Sequence, residues 1–218
     1  VPLTIRTEGG AGRTLGAHHS QSLEAWLMHI PGIKVVMPAT PADAKGLLKS
    51  SIREDNPIVF IEHKMLYNTK GPVPDGEYLT PIGVADVKKQ GSDVTILTYS
   101  RMLLFSLQAA EILEKDGISV EVVDLRTLLP LDKETIKKSV MKTNRVVIVE
   151  EDTKTAGAGA EIGMTIVEEC FDYLDAPIKR VAGADVPMPK APNLEKLAIP
   201  SVESIIDGFV KKIQIEMD

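Results

Sequence analysis

Residues 94–124 read VTILTYSRMLLFSLQAAEILEKDGISVEVVD, and the order of apolar runs in this stretch decides the fold. Val94–Thr98 is a short apolar and β-branched run, the composition of a strand. Met102–Lys115 follows with apolar residues at helical spacing. Val120–Asp124 is a second short apolar run. Strand, helix and strand in so few residues form a βαβ unit, whose strands run parallel. The runs are continuous rather than alternating, as in strands covered on both faces.

The alternation continues downstream. Asp132 caps a helix over about Lys133–Met141, and strand Val146–Glu150 leads to a helix over about Ala160–Phe171. Ile178–Val181 reads as a strand, and a proline-rich loop separates it from a last helix near Val202–Ile213. Upstream, residues 68–82 (NTKGPVPDGEYLTPI) hold three prolines and two glycines without periodicity, which marks a linker. Before it, Val1–Arg6, Ile33–Met37 and Ile58–Glu62 read as strands. Thr40-Pro41-Ala42-Asp43 opens a helix to about Glu54, with a capping hydroxyl, a proline at the first helical position and an acid in the first turn. Ala44, Leu47, Leu48 and Ser51 form its inner face. The expected fold is α/β, with two parallel-sheet α/β domains at 1–72 and 80–218.

Bulk composition narrows the function classes. The 218 residues carry a net charge of -6 and only 4% aromatics, which argues against nucleic-acid binding. No apolar run approaches a membrane span. Cys170 is the single cysteine, so no intrachain disulfide forms, which fits a reducing, cytoplasmic setting.

The strongest candidate for chemistry is His19. It follows a glycine-rich loop (Gly9, Gly10, Gly12, Gly16) on the C-terminal side of a parallel-type strand, where α/β sheets place their sites. An imidazole there exchanges protons near neutral pH. Ser20 reads as a helix cap, His29 as a cation at a helix C-terminus, and His63 as the start of a loop. Gly157–Gly163 (GAGAEIG) departs from the dinucleotide fingerprint by one residue and reads as a tight strand-to-helix turn. Glu150-Glu151-Asp152 reads as a solvated strand end or a subunit-facing edge. Trp26, at helical spacing from Leu23 and Ile30, reads as core.

Several separated stretches share one likeness. They are PLTIRTEGGAG at 2–12, HSQSLEAW at 19–26, PGIKVVMPATPADAKGLL at 31–48 and IREDNPIVFIEHKMLY at 52–67. GSDVTILTYSRM at 91–102, VEVVDLRTLLPLD at 120–132 and DAPIKRVAGADVPMP at 175–189 continue it. Together they resemble the beta subunits of thiamine-diphosphate-dependent 2-oxo acid dehydrogenases, in the family's order. The wording of EHKMLY and TYSRM is most similar to pyruvate- or acetoin-type subunits.

The resemblance implies a transketolase-like fold. Residues 1–72 would be the C-terminal part of the pyrimidine-binding domain and 80–218 the transketolase C-terminal domain. It implies an α₂β₂ assembly with an alpha subunit, beta–beta self-association and a dihydrolipoyl acyltransferase partner. Thiamine diphosphate would be shared with the alpha subunit, which holds its magnesium. The family's pyrimidine-contacting glutamate lies in a segment not among these residues, so the chain alone is expected to be inactive. The HSQ histidine corresponds to His19, implied to face a 2-oxo acid substrate. A structural potassium is implied at Leu3, Ser51, Ile52, Glu54 and Asn56. The expected activity is oxidative decarboxylation, of pyruvate first, with acetoin cleavage as the alternative. A transketolase-type transferase fits the HSQ motif and the two-subunit length less well. A non-catalytic assembly fragment is the reading from another class.

Overall fold

The computed structural model describes residues 1–213. Two sheets carry the chain. The first has strands β1 (Thr4–Gly9), β2 (Lys34–Val36), β3 (Ile58–His63) and β7 (Thr127–Leu129), in the order β1-β3-β2-β7. β1 and β2 both lie parallel to β3. The second has β4 (Asp86–Lys89), β5 (Val94–Thr98), β6 (Val120–Asp124), β8 (Val146–Thr153) and β9 (Lys179–Gly183), in the order β4-β6-β5-β8-β9. Its last four strands are mutually parallel, as the apolar runs require.

Two strands depart from the expected parallel sheets. β4 pairs antiparallel with β6, and β7 pairs antiparallel with β2. β7 belongs to the second half of the chain yet completes the first sheet. Both strands are short, three or four residues, so neither gives a readable apolar pattern.

The helices are α1 (Ala17–Ser20), α2 (Glu24–Met28), α3 (Pro41–Ile52), α4 (Met102–Lys115), α5 (Lys133–Thr143), α6 (Ala158–Cys170), α7 (Pro192–Ala198) and α8 (Val202–Ile213). Thr40 caps α3 by accepting the Asp43 N–H at 3.1 Å, and Asp132 caps α5 by accepting the Thr135 N–H at 3.0 Å. α5 stops at Asn144, which takes the left-handed conformation at φ 59°. α7 lies in the stretch expected to be loop, begun by Pro192 at its first position.

The core explains why the halves stay together. One apolar cluster joins Val35, Met37, Val59 and Ile61 of the first sheet to Leu97, Val123, Ile148 and Ile162 of the second half. A second cluster covers the other face of the second sheet with α4 and α8. Leu47 of α3 packs on Val36, Ile58 and Phe60 of the first sheet. Full burial of each such side chain contributes about 1.5–3 kcal/mol.

Several sequence expectations are corrected here. Trp26 is 73% exposed rather than core, because α2 turns Glu24 inward and leaves Trp26 on the outer face. Ser20 ends α1 and caps no helix; its buried Oγ has no partner among the described residues, and Leu23 precedes α2. The acidic run is no solvated edge, since Glu150, Glu151 and Asp152 are all buried within β8.

Candidate functional site

The site grows from the loop that follows β1. Gly10, Gly12 and Gly16 all take positive φ, at 85°, 109° and 77°. At Gly10 space matters as much as conformation, because a Cβ there would fall 2.1 Å from His63 Nε2. Thr14 takes φ 54°, a costly value for a β-branched residue. A loop of this shape turns successive N–H groups toward one side, and such groups receive anions.

The chain supplies those anions itself. Ala11 N–H donates to Glu151 Oε1 at 2.7 Å. Gly12 N–H donates to Glu195 Oε1 at 2.9 Å, and Thr14 N–H reaches both Glu195 oxygens at 3.1 and 3.0 Å. Both carboxylates are buried. Arg101, which opens α4, donates to the Ala11 carbonyl at 3.3 Å and lies 3.6 Å from Glu151 Oε2. Gln21 accepts the Met188 N–H at 2.9 Å. The loop from the first half is therefore held by β8, α4 and α7 of the second.

His63 ends β3 and faces Glu151, with Nε2 at 3.1 and 3.0 Å from its two oxygens. The other ring nitrogen, Nδ1, accepts the Met65 N–H at 3.1 Å. That bond leaves the ring proton on Nε2, so His63 donates to Glu151. Burial works to raise the Glu151 carboxyl, but the hydrogen bond from His63 leads the contacts that hold it below the usual range. His63 thus stands where the chain leaves β3, as a buried donor to Glu151.

A cleft of about 220 Å³ opens beside this pair, lined by Leu27, Met37, Ile61, Tyr99, Arg101 and Glu24 among others. Burial, reinforced by the charge of Asp152, pushes the Glu24 carboxyl up to about 8. Tyr99 Oη donates to it at 2.9 Å. Ser100 lines the same cleft at the turn between β5 and α4, with φ 52° and a buried hydroxyl. A serine on such an elbow near a histidine and a carboxylate invites a triad reading. Both nitrogens of His63 are already engaged, so His63 is not free to act as a base for that hydroxyl.

His19 lies outside the cleft, in the single turn of α1, with its ring exposed 4.4 Å from the ring of His18. Its backbone is held. His19 N–H donates to the Gly16 carbonyl at 3.2 Å, and the Lys64 ammonium donates to the His19 carbonyl. Lys64 is only 1% exposed, and Arg13 donates to its carbonyl at 3.1 Å. His19 follows the glycine loop after β1, while of the groups that hold this segment Lys64 and Glu195 were not singled out and Glu151 was read only as part of an acidic edge. Their partners lie far away in sequence, so spacing carries no signal for them.

The five residues expected at a cation gather around the C-terminal end of α3. The Leu3 carbonyl accepts the Ile58 N–H at 2.8 Å, and the Ser51 carbonyl accepts Thr4 Oγ1 at 2.9 Å. Ile52 is the last residue of α3. Asn56 donates to Glu54 at 2.7 Å, and Lys34 pairs with Glu54 at 2.8 Å. The Lys34 hydrogen bond, then that of Asn56, holds the Glu54 carboxyl below its usual range. The glycines at 157–163 behave as a turn: Gly157 precedes α6, and Gly159 N–H donates to Glu150 at 2.6 Å.

Comparison with known proteins follows the same division. Residues 1–70 match the model for the transketolase pyrimidine binding domain, and residues 83–205 match that for the transketolase C-terminal domain. The chain is 50% identical over 210 residues to a mitochondrial pyruvate dehydrogenase E1 component subunit beta-2 of Oryza sativa subsp. japonica, covering 94% of this chain and 56% of that protein. It is 52% identical over 197 residues to the 2-oxoisovalerate dehydrogenase subunit beta of Bacillus subtilis (strain 168), covering 89% and 60%. A solved split gene transketolase, described as an inactive beta4 tetramer, superimposes with a TM-score of 0.79 at 26% identity, covering 97% of this chain and 66% of that one. The chain thus spans between 56% and 66% of the length of these relatives. With both domain models matched in order along a fold of the same shape, the chain belongs to the transketolase family.

Proposed function

We propose that this chain is part of the beta subunit of a thiamine-diphosphate-dependent 2-oxo acid dehydrogenase, acting with an alpha subunit and passing an acyl group to a dihydrolipoyl acyltransferase. The observation that carries the reading is identity of about half along nearly the whole chain to pyruvate dehydrogenase E1 component beta subunits. We divide the chain at 1–72 and 80–218, with beta–beta self-association in the assembled enzyme. Pyruvate is the first substrate to test. The Bacillus subtilis relative favours a second reading, a branched 2-oxo acid. The buried, unpaired Cys170 supports a cytoplasmic setting.

Thiamine diphosphate, bound with magnesium on the alpha subunit, would supply the nucleophile and electron sink that decarboxylation requires. Of the exposed groups at this end of the loop, His19 is the titratable side chain the reading assigns to that chemistry, on a backbone held from two sides. Negative charge develops on the 2-oxo oxygen as the substrate reacts, and a protonated His19 imidazole would stabilise it. During acyl transfer a thiolate departs from the acceptor, and the same ring nitrogen would deliver its proton. Lys64, through the His19 carbonyl, would hold that nitrogen in place.

The potassium reading also rests on the donor chemistry. Ser51 and Ile52 offer backbone carbonyls at the end of α3, where helix carbonyls lack intrahelical partners, and Leu3 offers one just before β1. Glu54 is already paired with Lys34, so those carbonyls, with Asn56 beside them, would carry most of the ion's coordination.

The test is dye reduction by the full-length beta subunit assembled with its alpha subunit. Pyruvate, branched 2-oxo acids and acetoin are compared, with and without thiamine diphosphate, in wild type and His19→Ala. The expected result is cofactor-dependent turnover of a 2-oxo acid that falls by about 100-fold or more in His19→Ala. An intact complex that turns over none of these substrates would leave the chain as an assembly module.

A further inference from the structure

We propose that Glu195, on α7 of the second domain, is a positioning residue for His19; the inference rests on the functional reading above. Its buried carboxylate receives two backbone N–H groups of the loop that leads into α1, those of Gly12 and Thr14. Thr14 then stands at φ 54°, a conformation that a β-branched residue abandons unless neighbours hold it. Two residues on, Gly16 turns the chain into α1, and its carbonyl accepts the His19 N–H. Lys64 fixes the other end of the segment through the His19 carbonyl. The imidazole thus rides on a backbone clamped at Gly12–Thr14 by one domain and at His19 by the other.

The clamp has a particular chemistry. A loop with several positive φ values forms a concave set of N–H donors that otherwise takes an anion from solution. Here the anion is a side chain, delivered from 181 residues along the chain. Charge-assisted bonds of this kind are among the stronger hydrogen bonds in proteins, and they are directional. Removing the charge while keeping the shape weakens two bonds together and lets Thr14 relax toward negative φ. The consequence falls on the placement of His19, not on substrate binding elsewhere.

The experiment uses the full-length beta subunit assembled with its alpha subunit. Glu195→Gln is expected to lower kcat by about tenfold while KM for the 2-oxo acid stays within about twofold. Thr14→Gly in the same chain should recover about threefold or more of the lost kcat, because glycine takes left-handed φ freely. Thr14→Gly alone should keep kcat within about twofold. A general packing defect at Glu195 predicts no such rescue. Wild-type kcat in Glu195→Gln, or no recovery on adding Thr14→Gly, overturns the proposal.

A second measurement separates this inference from the functional reading. In the ¹⁵N-labelled wild-type chain, the Gly12 and Thr14 amide protons should resonate downfield, and Glu195→Gln should move both upfield. If the wild-type enzyme turns over no 2-oxo acid, the functional reading falls, and unmoved amides then bring the clamp down as well. If Glu195→Gln does not assemble, Gly12 and Thr14 amide protons without a downfield shift in the wild type overturn the proposal.

Discussion

Glu24 shows how a single residue stores pH sensitivity. Its carboxyl is buried, accepts the Tyr99 hydroxyl, and sits near Asp152, itself pushed up to about 6 by burial. A raised carboxyl binds its proton in the folded state over a range where the unfolded chain has lost it. Stability from that proton is fully present below the unfolded value near 4.5 and is lost as pH rises through about 8. Glutamine copies the neutral carboxyl and still accepts from Tyr99. Glu24→Gln should therefore match wild type in urea unfolding near pH 5 and exceed it increasingly toward pH 8. A difference that does not grow with pH would show that Glu24 is ionised in the folded chain. None of this was legible from the chain's order, where no local pattern marks Glu24 as buried. The same holds for Glu150 and Glu151, which read as a solvated or subunit-facing edge. Strand alternation sends Glu150 to Arg180 and Gly159, and Glu151 to His63 and Ala11. Those partners lie 9 to 140 residues away, beyond the reach of local charge patterning.

At the scale of elements, legibility followed local chemistry. The helices announced by caps, at Thr40 and Asp132, appear with those caps formed, and the long apolar strands of the second sheet pair in parallel. Short antiparallel β4 and β7 escaped notice because they exist through pairing with β6 and β2, not through their own pattern. The stretch 68–82 has no helix or strand, as its prolines suggest, yet part of it is strapped to α3. Tyr78 Oη donates to the Ala42 carbonyl at 2.9 Å, and Ser50 Oγ donates to the Thr80 carbonyl at 2.6 Å. Gly46 is what lets the strap lie close. A Cβ there would stand 2.2 Å from Thr80 Oγ1, 2.9 Å from Tyr78 Cε2 and 3.0 Å from Thr80 Cβ. Two effects oppose each other in Gly46→Ala. Helix propensity favours alanine by about 1 kcal/mol. Overpacking against the strap costs about 1–3 kcal/mol, and more when several atoms must shift together. The clash should win, giving a net loss of about 1–2 kcal/mol, read as a lower urea midpoint at unchanged slope. A midpoint equal to or above wild type would mean that the strap lifts freely.

At the scale of the whole molecule, the two halves are expected to unfold together. They share an apolar cluster, and β7 closes the first sheet from the second half. A charged cluster adds to this. Arg126, at φ 58°, pairs with Asp43 of α3 at 2.7 Å and with Asp86 of β4 at 2.6 Å. Lys88 bridges the same two carboxylates at 2.8 and 2.6 Å. Burial pushes the Asp43 carboxyl up, but bonds from Lys88 and Thr40 and the charge of Arg126 outweigh it and hold it below the usual range. Stability from a lowered carboxyl is present above the unfolded value and lost as pH falls through the folded one. Acid should thus loosen the junction between the halves before it reaches either core. Arg126→Met keeps the aliphatic reach and removes the charge, leaving buried Asp43 with Lys88 and the Thr40 hydroxyl. The expected cost is about 2–4 kcal/mol near neutral pH, shrinking as the medium is acidified and Asp43 takes up a proton. Calorimetry of the wild-type chain should give a calorimetric enthalpy equal to the van't Hoff enthalpy, the mark of one cooperative unit. In Arg126→Met the single transition should move down in temperature and stay single, because the shared apolar cluster and the β2–β7 pairing remain. Two resolved transitions in the wild type would show that the halves fold independently and that the junction only docks them. Two transitions in the variant alone would assign the coupling to the charged cluster rather than to the shared core.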